Sequence, residues 1–415
     1  MPTLARILYV TILIVVAANV AGASDVAIEG VAAARGLAVA SREPWTAGGF
    51  GRISEGRSAD DFAWLGRGEA HLGIEWTPSA VVLARVHGTA RAEPDAASGT
   101  RAGLTEAFLQ YRPELRPDFA LRFRGGLMFL PTSRENVDPL WQSPYTLTLS
   151  ARNAWIGEEL RPIGLDLALQ AGEAGGSRFE LAGLTFGGSD TAGALLAWRG
   201  WAMGTRLSVV GETLPLPPLP TLAPGGAFSE QQRARTQPID ELDDRLGWHV
   251  RGRWSHAGKR LVQAAWTDNR GDRRLHAGQY AWATRFASAA AELQLGRFRL
   301  VAEGLAGETG MGLVTGAHVD LDIRAGYMLV TWEKDWLRLT ARYDRFRNQD
   351  RDGVAEPNQE AGSAITAAAF YAPRSWLRVG VEYLELWGDR PAAAFAGTER
   401  AAGARRGQAE VRLRF

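Results

Sequence analysis

The chain closes on Gln408-Ala409-Glu410-Val411-Arg412-Leu413-Arg414-Phe415. Side chains of a strand alternate between its two faces, so Ala409, Val411, Leu413 and Phe415 share one side and Gln408, Glu410, Arg412 and Arg414 the other. A wholly apolar row backs onto a wholly polar one. The same pattern recurs upstream. Phe119, Leu121 and Phe123 oppose Ala120, Arg122 and Arg124. Leu337, Leu339, Ala341 and Tyr343 oppose Arg338, Thr340, Arg342 and Asp344, and Leu377, Val379, Val381 and Tyr383 oppose Arg378, Gly380 and Glu382. A soluble sandwich shows the same alternation, so length and export decide between the two. An arginine facing hydrocarbon at mid-bilayer costs about 2–4 kcal/mol; rows of arginine on a membrane strand must therefore look into water.

Residues 1–23 read as a secretory leader: Arg6, an apolar run from Ile7 to Val20, and the small-residue site Ala21-Gly22-Ala23. The apolar run, about 14 residues, falls short of the roughly 20 that a spanning helix needs. No later stretch is long and apolar enough for a membrane helix, so further membrane contact falls to strands. The 415 residues include no cysteine, which removes disulfides and thiolate metal sites. The 47 basic and 46 acidic residues nearly balance, which argues against nucleic acid as a partner and against a pore of one overwhelming sign. Among the basic residues only Lys259 and Lys334 are lysines.

Alternating runs joined by very short or long connections predict an all-β fold, a transmembrane antiparallel β-barrel of about 16–18 strands spanning 24–415 as a single domain. Tight turns fall at Thr77-Pro78-Ser79, Pro113 to Asp118, Lys334-Asp335-Trp336 and Ala372 to Ser375; longer polar stretches occupy 92–101, 129–151, 203–245, 349–361 and 388–404. Short periplasmic turns and long external loops are the asymmetry of an outer-membrane barrel. The higher count includes 152–160 and 193–202 as strands. Sixteen results if the first two elements lie outside the barrel. The Pro-rich run Leu214 to Pro224 favours extended geometry and is expected within a long external surface loop. Trp76, Trp336 and Trp376 beside short turns, with Trp387 at the far end of its strand, suit interfacial girdles.

The expected wall of the lumen comprises Arg85, Glu106, Arg122, Arg124, Arg338, Arg342, Asp344, Arg378, Glu382, Glu410, Arg412 and Arg414, some of them paired. In the 129–151 loop, Arg134, Glu135 and Asp138 lie near Pro131, Pro139 and Pro144 and are placed to form a constriction if the loop folds inward. Catalysis has little support. The six histidines are scattered without metal spacing, no Gly-x-Ser-x-Gly elbow occurs, and no serine, base and orienting group can be nominated. Asn348 to Gly353 lacks the later acid of a calcium loop, and neither metal nor cofactor is expected.

The leader, the alternating strands, the long middle loop and the terminal Glu-Val-Arg-Leu-Arg-Phe together resemble a Gram-negative outer-membrane porin, and most nearly the phosphate-selective porin-like class. The resemblance implies passive diffusion of small hydrophilic solutes or ions through a water-filled charged lumen, in a barrel facing outer-membrane lipid and lipopolysaccharide. It also implies an inward-folding loop near 129–151, a homotrimer, and a terminal signal (Val411, Leu413, Phe415) read by the barrel-assembly machinery. Lysine and arginine ladders mark the phosphate-selective class, and the near absence of lysine departs from it. A substrate-specific channel or exporter for an anionic solute or polysaccharide, and a non-channel barrel plugged by its own loops, are the alternatives.

Overall fold

The computed structural model describes residues 25–92, 101–173 and 175–415. The expected leader, residues 1–23, and residues 93–100 of the first polar stretch lie outside them. Sixteen strands form the barrel. They are β1 Asp25–Ser41, β2 Ser58–Ser79, β3 Val82–Ala92, β4 Ala102–Tyr111, β5 Phe119–Leu127, β6 Ile163–Gly172, β7 Ser177–Gly187 and β8 Gly247–His256, followed by β9 Arg260–Asp268, β10 Ala283–Leu295, β11 Phe298–Met311, β12 Val319–Lys334, β13 Leu337–Asp350, β14 Glu360–Arg374, β15 Leu377–Asp389 and β16 Ala401–Arg414. Glu114–Arg116 adds a short strand against β5 beside β4.

Each strand pairs antiparallel with its sequence neighbours, and β1 closes the circle on β16 from Val31 opposite Arg414 to Ala40 opposite Arg405. Gly30 and Phe415 exchange backbone hydrogen bonds of 2.8 and 3.1 Å at the seam. Closure leaves no edge, so the backbone is satisfied without water, as a bilayer requires. The Phe415 ring lies over Gly30, where a Cβ would come within 2.0 Å of it; glycine there lets the terminal aromatic seat against β1. The short turns and both described chain ends gather at one end of the barrel. Residues 42–57, 128–162, 188–246, 269–282, 312–318, 351–359 and 390–400 connect strands at the other end.

Two expected strands are helices. Residues 151–159 form α1 (Ala151–Glu159), started by Ser150, whose hydroxyl accepts the Asn153 N–H at 3.2 Å. Residues 194–198 form α2 (Ala194–Trp198) after Gly193 at φ 109°. Residues 194–198 are a short apolar run, which periodicity cannot separate from buried helix; residues 151–159 mix Arg152, Asn153, Glu158 and Glu159 with Trp155 and Ile156 over strand length. Their loss from the wall, rather than loss of the first two elements, brings the number of strands to sixteen; β1 and β2 belong to the barrel. The 203–245 stretch also differs from the expected surface loop. One side of it packs onto the core, where Leu214, Leu219 and Phe228 are buried, while Pro218, Pro220 and 223–225 stay exposed at the surface.

The lumen is therefore filled with protein. α1 and α2 are buried along their whole length, and Trp155, Trp198, Trp201 and Trp282 pack with the inward wall residues Phe286, Leu321, Ile323, Phe346, Leu384 and Leu386 into one apolar core. Trp155 meets Trp201 and Phe286 edge-on, with ring centroids 5.8 and 5.4 Å apart. The core occupies the half of the lumen near the long connections. Nearer the short turns, the inward rows become charged: β15 runs Leu386, Leu384, then Glu382 and Arg378, and β16 runs Ala404, then Arg406, Gln408, Glu410 and Arg412. Trp155→Ala is expected to cost about 3–5 kcal/mol. In urea titration of the refolded protein, the near-UV dichroism of the core should melt at lower denaturant in the variant, while the far-UV strand signal persists.

Candidate functional site: the lumen and its inward segments

Residues 128–149, leading from β5 into α1, cross the charged half of the lumen and bond to the wall on several sides. Arg342 of β13 is the central contact. Its Nε donates to Asp344 at 2.8 Å, and its Nη1 donates to the Thr148 carbonyl at 2.6 Å and to Glu135. Glu135 also accepts from the Ser150 hydroxyl at 2.7 Å and from Asn153 at 2.8 Å. Asp344 accepts the Ala151 N–H at 3.3 Å. From β15, Glu382 accepts the backbone N–H groups of Leu147 (2.5 Å) and Thr148 (3.1 Å), and Gln408 donates to the same carboxylate at 2.7 Å. Opposite, the Arg134 backbone N–H donates to Glu303 at 2.7 Å, and its guanidinium donates to Glu292 at 2.8 Å. Gln263 of β9 donates to the Thr132 carbonyl at 3.1 Å.

The other expected lining residues also face inward. Arg85 pairs with Glu75 and stands 3.8 Å from Glu106. Arg122 and Arg124 share Asp166 at 3.5 and 3.0 Å. Arg338 donates to Glu333 at 3.1 Å and to the Pro144 carbonyl at 2.7 Å. Arg378 reaches Glu410 and the Ser143 carbonyl, both at 3.3 Å. Arg412 holds Glu410 at 2.9 Å, and Arg414 bonds Asp138 at 2.6 Å. Val411, Leu413 and Phe415 face outward and are exposed.

Burial divides these charges by depth. The Arg342 and Glu135 side chains are 0% exposed, whereas Arg338 and Glu333 nearer the short turns are each 31% exposed. A charged vestibule thus opens at the short-turn end and closes at the level of Glu135. Between Arg35, Arg412, Gln142 and Thr205 remains a gap of about 10 Å³, room for about one water. In this conformation a solute would have to part the inward segment from the wall.

Several members of the site escape the sequence reading. Arg35 of β1 bonds Glu410 at 2.8 Å, Glu69 at 2.7 Å and Thr205 at 3.0 Å. Apart from Arg35 itself, its inward row (Val31, Ala33, Leu37, Val39) and its outward row (Ala32, Ala34, Gly36, Ala38) are both small or apolar, so alternation carries no phase. Only the register opposite Glu410 reveals it. Asp166, Glu180 and Arg251 form a further cluster, with Arg251 at 2.8 Å from Asp166 and 3.0 Å from Glu180. His71 and His87 lie 3.2 Å apart, with Gln142 at 3.3 Å from His71.

The two helices are tied by an acid. Glu159, at the end of α1, accepts the N–H groups of Gly193 (2.8 Å) and Leu195 (2.6 Å) and the Trp155 indole N–H (2.6 Å). Burial pushes its carboxyl up to about 7, more than the hydrogen bonds lower it. At the long-connection end, Asp190 accepts from the N–H groups of Leu242 (2.6 Å) and Asp243 (3.1 Å). Burial and the neighbouring Glu241 raise its carboxyl as well.

Compared with solved structures, the chain has the fold of Gram-negative outer-membrane porins. It covers 94% of its length against 97% of the outer membrane channel DcaP of Acinetobacter baumannii, at 12% identity and a TM-score of 0.53. It covers 95% against the whole of the anion-selective porin from Comamonas acidovorans, at 12% identity and a TM-score of 0.52. The trimer form of OmpT, an outer membrane protein of Vibrio cholerae, gives 95% and 100% coverage, 12% identity and a TM-score of 0.51. At this identity the likeness is one of fold. No protein-family model and no curated protein matches the chain.

A carboxyl whose pKa is higher folded than unfolded binds more protons when folded, so its contribution to stability falls as pH rises between the two values. For Glu159 that window runs from 4.5 to about 7, and the raised Asp190 acts in the same direction. Docking of α2 should therefore loosen from pH 5 to pH 8. Near-UV dichroism of the tryptophans will show this loosening, and Glu159→Gln, which keeps an acceptor oxygen but cannot titrate, should make the profile shallower, leaving the part due to Asp190.

Proposed function

We propose that this chain is an outer-membrane channel of the porin type, which passes small hydrophilic solutes or ions by passive diffusion when the segment 129–149 parts from the wall. One observation carries the reading: a closed sixteen-strand barrel whose exterior is apolar and whose inward rows in the short-turn half are charged. In this reading residues 1–23 direct export, the short turns face the periplasm, and the long connections face outside. Val411, Leu413 and Phe415, displayed on the exterior of β16, are available to the barrel-assembly machinery. Trimer assembly is proposed by analogy with the Vibrio cholerae protein, described in a trimer form.

The charges set modest selectivity. Each inward guanidinium named above has a carboxylate partner, so the lumen presents neither a phosphate ladder nor an uncompensated acidic ring. The segment 131–149 is the movable part in this proposal: its polar bonds to the wall can be exchanged for bonds to water, and its apolar contacts with the wall are small, Tyr145 against Val301, Tyr327 and Leu329 and Leu147 against Ala368 and Phe370. The aromatic core around Trp155 has no such substitute. That core supports a second reading, in which the barrel is a permanently plugged scaffold without conduction.

Planar-bilayer recording separates the two. Truncating Glu135 removes the loop's charged acceptor from Arg342, which keeps Asp344, a loss of about 1.5–3 kcal/mol. That corresponds to a shift of roughly ten- to a hundredfold toward the parted state. The wild-type protein should show small, infrequent openings, and Glu135→Ala larger or longer ones with weak ion preference. Silence from both proteins, inserted and folded, would reject the channel and leave the scaffold.

A further inference from the structure

Residues 138–142, the tip of the inward segment, are held in a conformation that the chain alone disfavours. Leu140 (φ 59°) and Trp141 (φ 56°) are successive non-glycine residues in the left-handed region. That conformation brings Cβ against the following carbonyl and persists only where surrounding contacts over-determine it. Three wall contacts do so here. Asp138 bonds Arg414 at 2.6 Å. Leu140 seats over Gly73 of β2, where a Cβ would come within 2.5 Å of its side chain. Gln142 reaches His71 of β2 at 3.3 Å. Trp141 meanwhile stacks on Phe129, with ring centroids 4.4 Å apart.

The donors along the Gln142 contact can be assigned. The same amide nitrogen donates to the Leu140 carbonyl at 3.2 Å, so the amide cannot turn over without setting its oxygen against that carbonyl. His71 Nε2 therefore accepts. Its proton lies on Nδ1 and is donated to His87 Nε2, on β3, at 3.2 Å. The His87 proton then sits on Nδ1, which has no hydrogen-bond partner among the described residues. Both rings are buried, at 5% and 0% exposure. Every lone pair that could take a further proton is thus in use: on His71 it faces the Gln142 amide, and on His87 the His71 N–H. A further proton breaks one of these two bonds.

The surrounding charges decide which bond is lost. Glu69 of β2 stands 3.8 Å from His71 Nε2. It is held by Arg35 of β1 at 2.7 Å, with Arg67 of β2 and Arg412 of β16 at 3.8 and 3.9 Å. His87 has Arg85 of β3 and Arg161 for neighbours, and Glu106, opposite it on β4, is 3.8 Å from Arg85. The acid of the tip itself, Asp138, is taken by Arg414. The proton goes to His71 Nε2, on the side of Glu69, and there it opposes the Gln142 amide donor to donor.

We propose that residues 138–142 are a proton-released latch: protonation of His71 turns Gln142 away, the left-handed turn relaxes, and the tip leaves the wall. This is regulation of the channel and rests on that reading. Histidine is the side chain that ordinarily changes charge between pH 5 and 8, so the latch holds at the upper end of that range and releases at the lower. The direction is opposite to that of Glu159, whose protonation in acid tightens the docking of α2.

The chain has no cysteine, so a nitroxide on Val137→Cys is unique, and Val137 is already 41% exposed. The test uses the full refolded mature chain in detergent micelles, with folding checked by heat-modifiable electrophoretic mobility. Between pH 8 and pH 5 the ratio of mobile to immobile label should rise by roughly tenfold, as loss of a buried hydrogen bond implies, and should reverse on return. His71→Gln, whose amide oxygen can accept from Gln142 but cannot titrate, should keep the label immobile throughout. Gln142→Leu should free the label already at pH 8 and abolish its response to acid. Glu159→Gln should leave the response of the label as in wild type. An unresponsive wild-type label, or a full acid response in either folded variant, His71→Gln or Gln142→Leu, would overturn the latch. Bilayer recording of the same proteins separates the two readings. A label that loosens in acid without any current supports the latch and sinks the channel. Current that rises in acid while the label stays immobile overturns the latch and leaves the channel standing.

Discussion

A guanidinium group tolerates water or an acceptor and little else, and this chain must place its arginines inside a wall whose exterior meets hydrocarbon. At the bilayer midplane an outward arginine costs about 2–4 kcal/mol, so in the short-turn half the charged row of each strand turns inward. There it meets a second constraint, because the lumen holds residues 128–149 rather than bulk water. A charge removed from water must be paired and hydrogen-bonded. The wall and the inward segment answer each other accordingly: Arg342 with Glu135, Arg414 with Asp138, Glu292 with Arg134. The path of the 128–149 segment follows from where the wall leaves acids and bases to be matched.

Such pairs fix position more than they stabilise. Desolvation offsets most of the Coulomb attraction in a buried pair, whereas removing one partner costs about 3–5 kcal/mol. Net stabilisation of the inward segments therefore falls to the apolar core. Five buried tryptophans and the inward leucine, isoleucine and phenylalanine residues of β10, β12, β13 and β15 supply it, each large side chain worth about 1.5–3 kcal/mol on burial. The ionic half sets register, and the aromatic half sets affinity.

This division also explains what could be read from the sequence. In the short-turn half, arginine and glutamate alternate with leucine, valine and tyrosine, and the barrel, its turns and the lining residues from Arg122 to Arg414 follow from period two. In the long-connection half the inward row is itself apolar, so alternation fades along β15 at Leu384-Glu385-Leu386-Trp387 and inverts along β13 at Arg345-Phe346-Arg347. The same filled lumen made α1 and α2 look like wall strands: α2 is apolar throughout, and α1 is buried on every side, with Arg152, Asn153, Glu158 and Glu159 paired inside the lumen rather than gathered on one solvent face. The cap at Ser150 was the available sign. Arg35 was hidden because both rows of β1 are small, and contacts such as Glu382 with Leu147, distant in sequence, have no local signature.

The interior's two halves bear on what the porin fold can do here. A wall built on period two is indifferent to its contents, and the connections after β5 and β7 decide whether it encloses water or protein. Water can replace Thr148 and Leu147 as donors to Glu382, or Glu135 as partner of Arg342, at a cost of a few hydrogen bonds, since a hydrogen bond nets only about 0.5–1.5 kcal/mol when water is the alternative. Water cannot replace Trp201 against Trp155 and Phe346 without exposing the whole cluster. Any opening must therefore begin in the charged half, where the vestibule already reaches Arg338 and Arg414, and proceed by peeling residues 131–149 from β13, β15 and β16. The Pro131, Pro139 and Pro144 backbone of that segment, which cannot join a strand ladder or a helix interior, leaves it a single short 3-10 turn at Pro139–Trp141 as its regular structure, so it can part from the wall without unfolding a strand or an α-helix.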